Sequence, residues 1–202
     1  MPRRFASALH LSVRHGASPV RRQNLIPHRA RPLPGELRTG LDGLPAGGPE
    51  RTFLECASLL RLDELICLGD ALVRIPRRRY EDRSTPHSSL ERIAAHLSLH
   101  PHVRGRSLAG EALQQVRIGA DSVQETRMRL ALVRAGLPEP ELQVPADPQD
   151  PRSPEADAAY LPQKVALQYD GHTHFDQDAR DSFRRTVTEV RRTLAAREAV
   201  PA

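Results

Sequence analysis

Tryptophan is absent, and three tyrosines and four phenylalanines supply all the large aromatic rings of the 202 residues. So few rings argue against a single-strand nucleic-acid binder that works by stacking bases. Lysine is nearly absent too: Lys164 is the only one, so arginine carries almost all of the positive charge. The two cysteines, Cys56 and Cys67, lie within helical apolar patterns and lack Cys-x-x-Cys spacing, so they read as reduced core residues, neither a disulfide nor a zinc pair. No apolar run reaches the roughly 18 residues of a membrane-spanning helix. The N-terminal Met-Pro-Arg-Arg-Phe leads only into a weak apolar patch to Leu11, too short and polar for a secretion signal. These absences predict a cytoplasmic protein. No Gly-rich phosphate loop, zinc-ligand spacing or Ser/His/Asp motif offers a competing chemistry.

The charge that is present is unevenly spread. The chain has 30 basic and 25 acidic residues, but residues 1–110 hold 18 arginines against 10 acids, net +8, whereas residues 111–202 hold 12 basic and 15 acidic, net −3. An arginine surplus in the first half suits a polyanion, because guanidinium groups grip phosphate bidentately and release counterions. The plainer alternative is a solvated surface with the near-exclusive arginine usage of a GC-rich gene.

Along the chain, residues 1–48 are rich in Pro, Gly and Arg. Two apolar pieces, Leu9–Val13 and Asn24–Ile26, flank a turn-like His15–Pro19, which predicts a small strand-turn-strand or a basic arm. From Pro49 the period becomes helical. Phe53, Leu54, Ala57 and Leu60, then Leu62, Leu65, Ile66, Leu72 and Val73, give a helical pair, with Gly69-Asp70 either interrupting the second helix or permitting close packing. Arg77-Arg78-Arg79 reads as solvated, and Asp70 as bonded to nearby backbone. Ser88 or Ser89 caps a helix through about Leu97, and Ser107 opens another. Residues 49–106 form the expected helical region, with a break at 99–106, and residues 107–202 the expected α/β domain.

Within that domain, Ser122-Val-Gln-Glu125 has the spacing of a capping box ahead of a helix that stops at Gly136, which would send the Glu125 carboxylate back to the Ser122 amide. Leu142–Val144 reads as a strand and 146–154 as a polar connection. A hairpin follows: Asp157 lies on its first arm, and Gln168 and Asp170, two apart, share a face of the second, whose apolar run Val165–Tyr169 ends at Asp170-Gly171. His174 lies just beyond. A carboxylate on one strand, an oxygen ligand and a carboxylate on the next, and an imidazole at the end suit a hard divalent cation. Taken singly, Asp157 can equally be a hydrogen-bonded carboxylate at a sheet end, and Asp170 an ordinary Asp-Gly turn. A long amphipathic helix then carries Phe183, Val187, Val190 and Leu194 on one face, with Arg180, Arg184, Arg185, Arg191 and Arg192 around them.

"ADAAY", "VALQYDGHTH" and the preceding "DSVQETRMRLALVRAGLPEPELQV" resemble the very-short-patch-repair-like branch of the PD-(D/E)XK nuclease superfamily. More narrowly, they resemble bacterial proteins that join such a domain to an N-terminal DNA-binding-like region. The group's pattern is a helix with Glu, a strand with Asp, then Glu-x-Asp-Gly-x-x-His, which falls here on Glu125, Asp157, Gln168, Asp170, Gly171 and His174. Gln168 stands where Glu is more common, and no lysine matches the one in the superfamily name. The resemblance implies an α/β, restriction-endonuclease-like mixed sheet flanked by helices, shortened at both ends, with an exposed sheet edge for a second copy or a protein partner. It implies a DNA endonuclease using Mg²⁺ or Mn²⁺ held by Asp157, Gln168 and Asp170. Glu125 is its helix carboxylate, His174 its general base or acid, and Arg180 or Arg184 its phosphate contact. A neutral Gln168 weakens the hold on a cation, so the same residues also admit a non-catalytic DNA-binding protein on a nuclease-like fold, or a truncated product without independent function.

Overall fold

The computed structural model describes residues 8–16, 18, 21–40, 43–77, 81–150, 152–169 and 178–199. The chain is mixed α/β and divides into two compact units, Met1–Gly48 and Pro49–Ala202.

In the first unit, β1 (Leu9–Arg14) and β2 (Leu25–Ala30) pair in parallel, from Leu9 opposite Leu25 to Arg14 opposite Ala30. A short antiparallel hairpin, β3 (Leu37–Thr39) and β4 (Pro45–Gly47), follows and has no counterpart in the sequence reading. Two-stranded ladders bury little, and Leu9, Leu11, Leu37 and Leu44 remain exposed. His10 and His28 stack across β1 and β2, Nδ1 to Nε2 2.7 Å apart.

The second unit begins with a helical layer: α1 (Pro49–Cys56), α2 (Leu62–Val73), α3 (Leu90–Leu99) and α4 (Arg106–Gln115). The three- and four-residue spacing read from the sequence puts Phe53, Leu65, Ile66, Ile93, Leu97, Ala109, Ala112 and Val116 in one buried cluster. Of the two candidate caps for α3, Ser89 takes the role, its hydroxyl accepting from the Arg92 amide, while Ser88 donates to Glu50 at 2.8 Å. Gly105, not Ser107, precedes the first residue of α4. Cys56 and Cys67 are free thiols, and burial pushes Cys67 up to about 11, which keeps it an unreactive thiol.

Gly69 does not break α2; it lets α2 approach its neighbours. A Cβ there would lie 2.3 Å from Val116 Cγ2 and 3.1 Å from Phe53 Cε2. Asp70 reaches well past nearby backbone. It accepts from the Arg117 amide at 2.8 Å, the Thr126 hydroxyl at 2.8 Å and Arg129 Nη2 at 3.0 Å. The Arg129 fork also donates to Glu139 at 2.9 Å and to the Gln115 carbonyl at 2.9 Å, with both Asp70 and Arg129 1% exposed. Burial pushes the Asp70 carboxyl up while Arg129 and the other donors pull it back, so its charge depends on keeping them.

That network fixes α5 (Val123–Arg134), the helix shared by both halves of this unit. Its Leu130 belongs to the helical cluster, whereas Met128 and Leu132 belong to a second cluster with Ala158, Tyr160, Val190 and Leu194. Apolar residues on opposite sides of one helix mean burial on both. The second cluster is closed by α6 (Asp178–Glu198), whose Phe183, Val187, Val190 and Leu194 form the expected seam, and by a three-stranded sheet. The sheet runs β5 (Glu141–Pro145), β6 (Glu155–Tyr160), β7 (Val165–Leu167), antiparallel throughout the described strands, where the resemblance implies a mixed sheet.

Candidate functional site

Strand alternation gives this sheet two different faces. Leu142, Ala158, Tyr160, Val165 and Leu167 turn to the second cluster, and the Tyr160 hydroxyl ties the sheet to the Pro138 carbonyl at 3.1 Å. One residue out of step lies a polar row. In the register, Ala158 pairs Leu142 on one side and Leu167 on the other, so the next level holds Gln143, Asp157 and Gln168. Asp157 is 7% exposed, and both its oxygens are engaged: Gln168 Nε2 donates to Oδ1 at 3.1 Å and the Tyr169 amide to Oδ2 at 2.6 Å.

Glu125 joins this row from the first turn of α5. The Ser122 hydroxyl caps the helix by accepting from the Glu125 amide at 3.2 Å. The return bond differs from the sequence expectation by one residue, because Glu125 Oε2 accepts from the Asp121 amide at 2.8 Å. Glu125 therefore combines a helix-start bond with a position in the site. It is 8% exposed, and burial pushes its carboxyl above the usual range; the Asp121 amide and Ser122 pull it back, and the Asp157 and Asp121 charges push it further up.

Two further residues complete the surroundings, and neither was expected there from the sequence. The Gln143 amide nitrogen faces Glu125 Oε2 at 3.5 Å, and its Oε1 accepts from Arg77. Arg77 also bridges to Asp121 and, at 3.6 Å, to Glu155; Arg74 holds Asp121 from the other side at 3.3 Å. The alternation Leu142-Gln143-Val144 carried a signal for Gln143, since a polar residue between two core residues must face away from the core. Nothing local announced Arg77, which the sequence reading left solvated and which lies 66 residues from its partner.

Of the residues expected at the site, Glu125, Asp157 and Gln168 come together. Asp170 and His174 lie outside the described residues, as does the Arg180 side chain, although Arg180 falls within α6. Arg184 is exposed on α6 and lines an open groove of about 690 Å³ with Leu167, Arg185, Thr188 and Glu189. Lys164 sits in the turn between β6 and β7 with φ +53, away from the row.

The donor set suits a hard cation in kind. Two carboxylates and one amide oxygen are oxygen ligands, and each Asp157 oxygen keeps a lone pair beyond its single hydrogen bond. Among the described residues neither Glu125 nor Asp157 has an ion-pair partner. No family model matches the chain, and neither the curated proteins nor the solved structures contain a match. No helix among the described residues is long and apolar enough to cross a membrane.

Proposed function

We propose that the Pro49–Ala202 unit is a metal-dependent DNA endonuclease domain of restriction-endonuclease-like fold, hydrolysing phosphodiester bonds in repair or defence. The observation that carries this reading is the pair Glu125 and Asp157, two carboxylates each more than nine-tenths buried, with Gln143 on the level of Asp157 reaching Glu125, and without a cationic partner among the described residues. Buried carboxylates are ordinarily paired with a cation or bound to a metal. Asp157, Glu125 and, with its amide turned, the Gln168 Oε1 would hold Mg²⁺ or Mn²⁺, with Asp170 as the further ligand the resemblance implies. Bound there, such an ion supplies charge neutralisation at the phosphate and a water more easily deprotonated. The chain's own part is to hold the buried Glu125 and Asp157 carboxylates in one row with Gln168 and to offer the exposed Arg184 to phosphate, with Arg180 as the further contact the resemblance implies. His174 is the acid or base that the resemblance implies.

One observation favours a second reading, a non-catalytic DNA-binding protein that keeps the fold. The Gln168 amide donates to Asp157, so a neutral N–H stabilises the carboxylate where a glutamate would demand a cation. The experiment is Mn²⁺ and Mg²⁺ calorimetry beside a supercoiled-plasmid nicking assay, on the wild type and Asp157→Ala. Saturable binding and nicking, both lost in the variant, support the nuclease. DNA binding by a folded protein that takes up neither ion refutes the nuclease in favour of the second reading.

A further inference from the structure

Gln143 holds a backbone conformation that works against its side chain. Its φ is +51, in the left-handed region that residues with a Cβ rarely adopt, yet it lies in the middle of β5 between Leu142 and Val144, both paired to β6. Outliers of this kind persist only where the surroundings over-determine them. Here both ends of the amide are constrained. Arg77 can only donate, so the end it touches must be Oε1, and that turns Nε2 toward Glu125 Oε2 at 3.5 Å. Arg77 is itself anchored by Asp121 and Glu155, from the start of α5 and the start of β6. Gly119 packs beneath, where an added Cβ would stand 2.9 Å from Leu142 Cβ and 3.6 Å from Gln143 Cγ.

We propose that Gln143 is a positioning residue of the candidate site: its amide, oriented by Arg77, holds the Glu125 carboxylate toward the row formed by Asp157 and Gln168. This rests on the metal-site reading above. A residue kept for the fold alone would cost stability on replacement by glycine through its lost packing and side-chain bonds, even though glycine suits a positive φ, and would leave the site as it was. A positioning residue gives the opposite pattern, in which the fold tolerates glycine and the site does not.

The test compares wild type, Gln143→Gly and Arg77→Met by thermal melting, by NMR of the Gln143 side-chain amide and the Glu125 side-chain carboxyl carbon at fixed neutral pH, and by Mn²⁺ calorimetry. The expected result is a glycine variant that melts at or above the wild-type temperature while its Glu125 carboxyl signal moves. Its Mn²⁺ affinity falls on the order of ten-fold, as when other outer partners of metal ligands are lost. In Arg77→Met the Gln143 amide signals move toward those of a free amide. A glycine variant that unfolds or melts well below wild type assigns Gln143 to the fold and overturns the proposal. So does an unmoved Glu125 signal, or an unchanged Mn²⁺ affinity in a protein that binds Mn²⁺. Should the wild type bind no Mn²⁺, the metal-site reading fails by itself, and the melting and NMR results still decide the role of Gln143.

Discussion

Replacing Gln168 by glutamate asks whether an amide stands where a cation would. The Gln168 Nε2 is 3.1 Å from Asp157 Oδ1, so the new carboxylate would meet an acceptor at the distance where the wild type has a donor. Two unit charges about 4 Å apart repel by ~4 kcal/mol at an effective dielectric constant near 20. Asp157 is buried but Gln168 is exposed, and water on that side reduces the penalty to about 1–2 kcal/mol. For a unit of this size that corresponds to a fall of about 2–8 °C in melting temperature, measured by calorimetric scanning in the presence of a chelator. Mn²⁺ should restore the loss, because the cation removes the repulsion that created it. Its affinity should exceed that of the wild type by about ten-fold or more, a gain of ~1.4 kcal/mol. Equal melting temperatures in chelator together with unchanged Mn²⁺ affinity would show that Gln168 does not face Asp157 as described, and would refute the reasoning.

Three further outcomes follow from the packing. Arg129→Met leaves the buried Asp70 carboxylate without its counter-charge and should cost about 3–5 kcal/mol in denaturant unfolding, with Asp70→Asn in the same chain recovering part of it; additive losses would mean that the two do not act as a pair. Gly69→Ala should cost about 1–3 kcal/mol, since Val116 and Phe53 are both buried and cannot yield, and Val116→Ala should rescue it. Arg74, with help from the Arg77 amide, holds Glu81 at about 2 against an ordinary 4.5. A depressed carboxyl stabilises the fold above the ordinary value and loses that contribution as pH falls toward the folded one, so the melting-temperature gap between wild type and Glu81→Gln should close between pH 4.5 and 2. A gap constant through that window would refute the assignment of the shift to the Arg74 contact.

The helices were legible because their signals are local. Spacing fixes the buried stripe, Ser89 and Ser122 mark two starts, and an acidic residue in the first turn supports each. The hairpin of β6 and β7 was legible from two short apolar runs around a four-residue turn. The pairing of β1 with β2 was not, since two strands joined by a loop look alike in sequence whether they pair parallel or antiparallel. Asp70 showed the same limit: its partners lie 47 to 59 residues away, and a lone carboxylate in a helix carries no mark of them.

At the candidate site, the sequence by itself determined which groups are available. Alternation put Asp157 and Gln168 on polar positions of adjacent strands, and the Ser122 cap put Glu125 in a first helical turn, because both patterns depend on neighbours a few residues away. Only the tertiary structure decided what those groups do to each other. The sheet register set Gln143 beside Asp157, the Asp70–Arg129 network seated α5 so that Glu125 meets that row, and Arg77 arrived from the segment that follows α2. Such contacts depend on which surfaces remain once the cores have closed, and that is a property of the packed chain, not of any stretch of it.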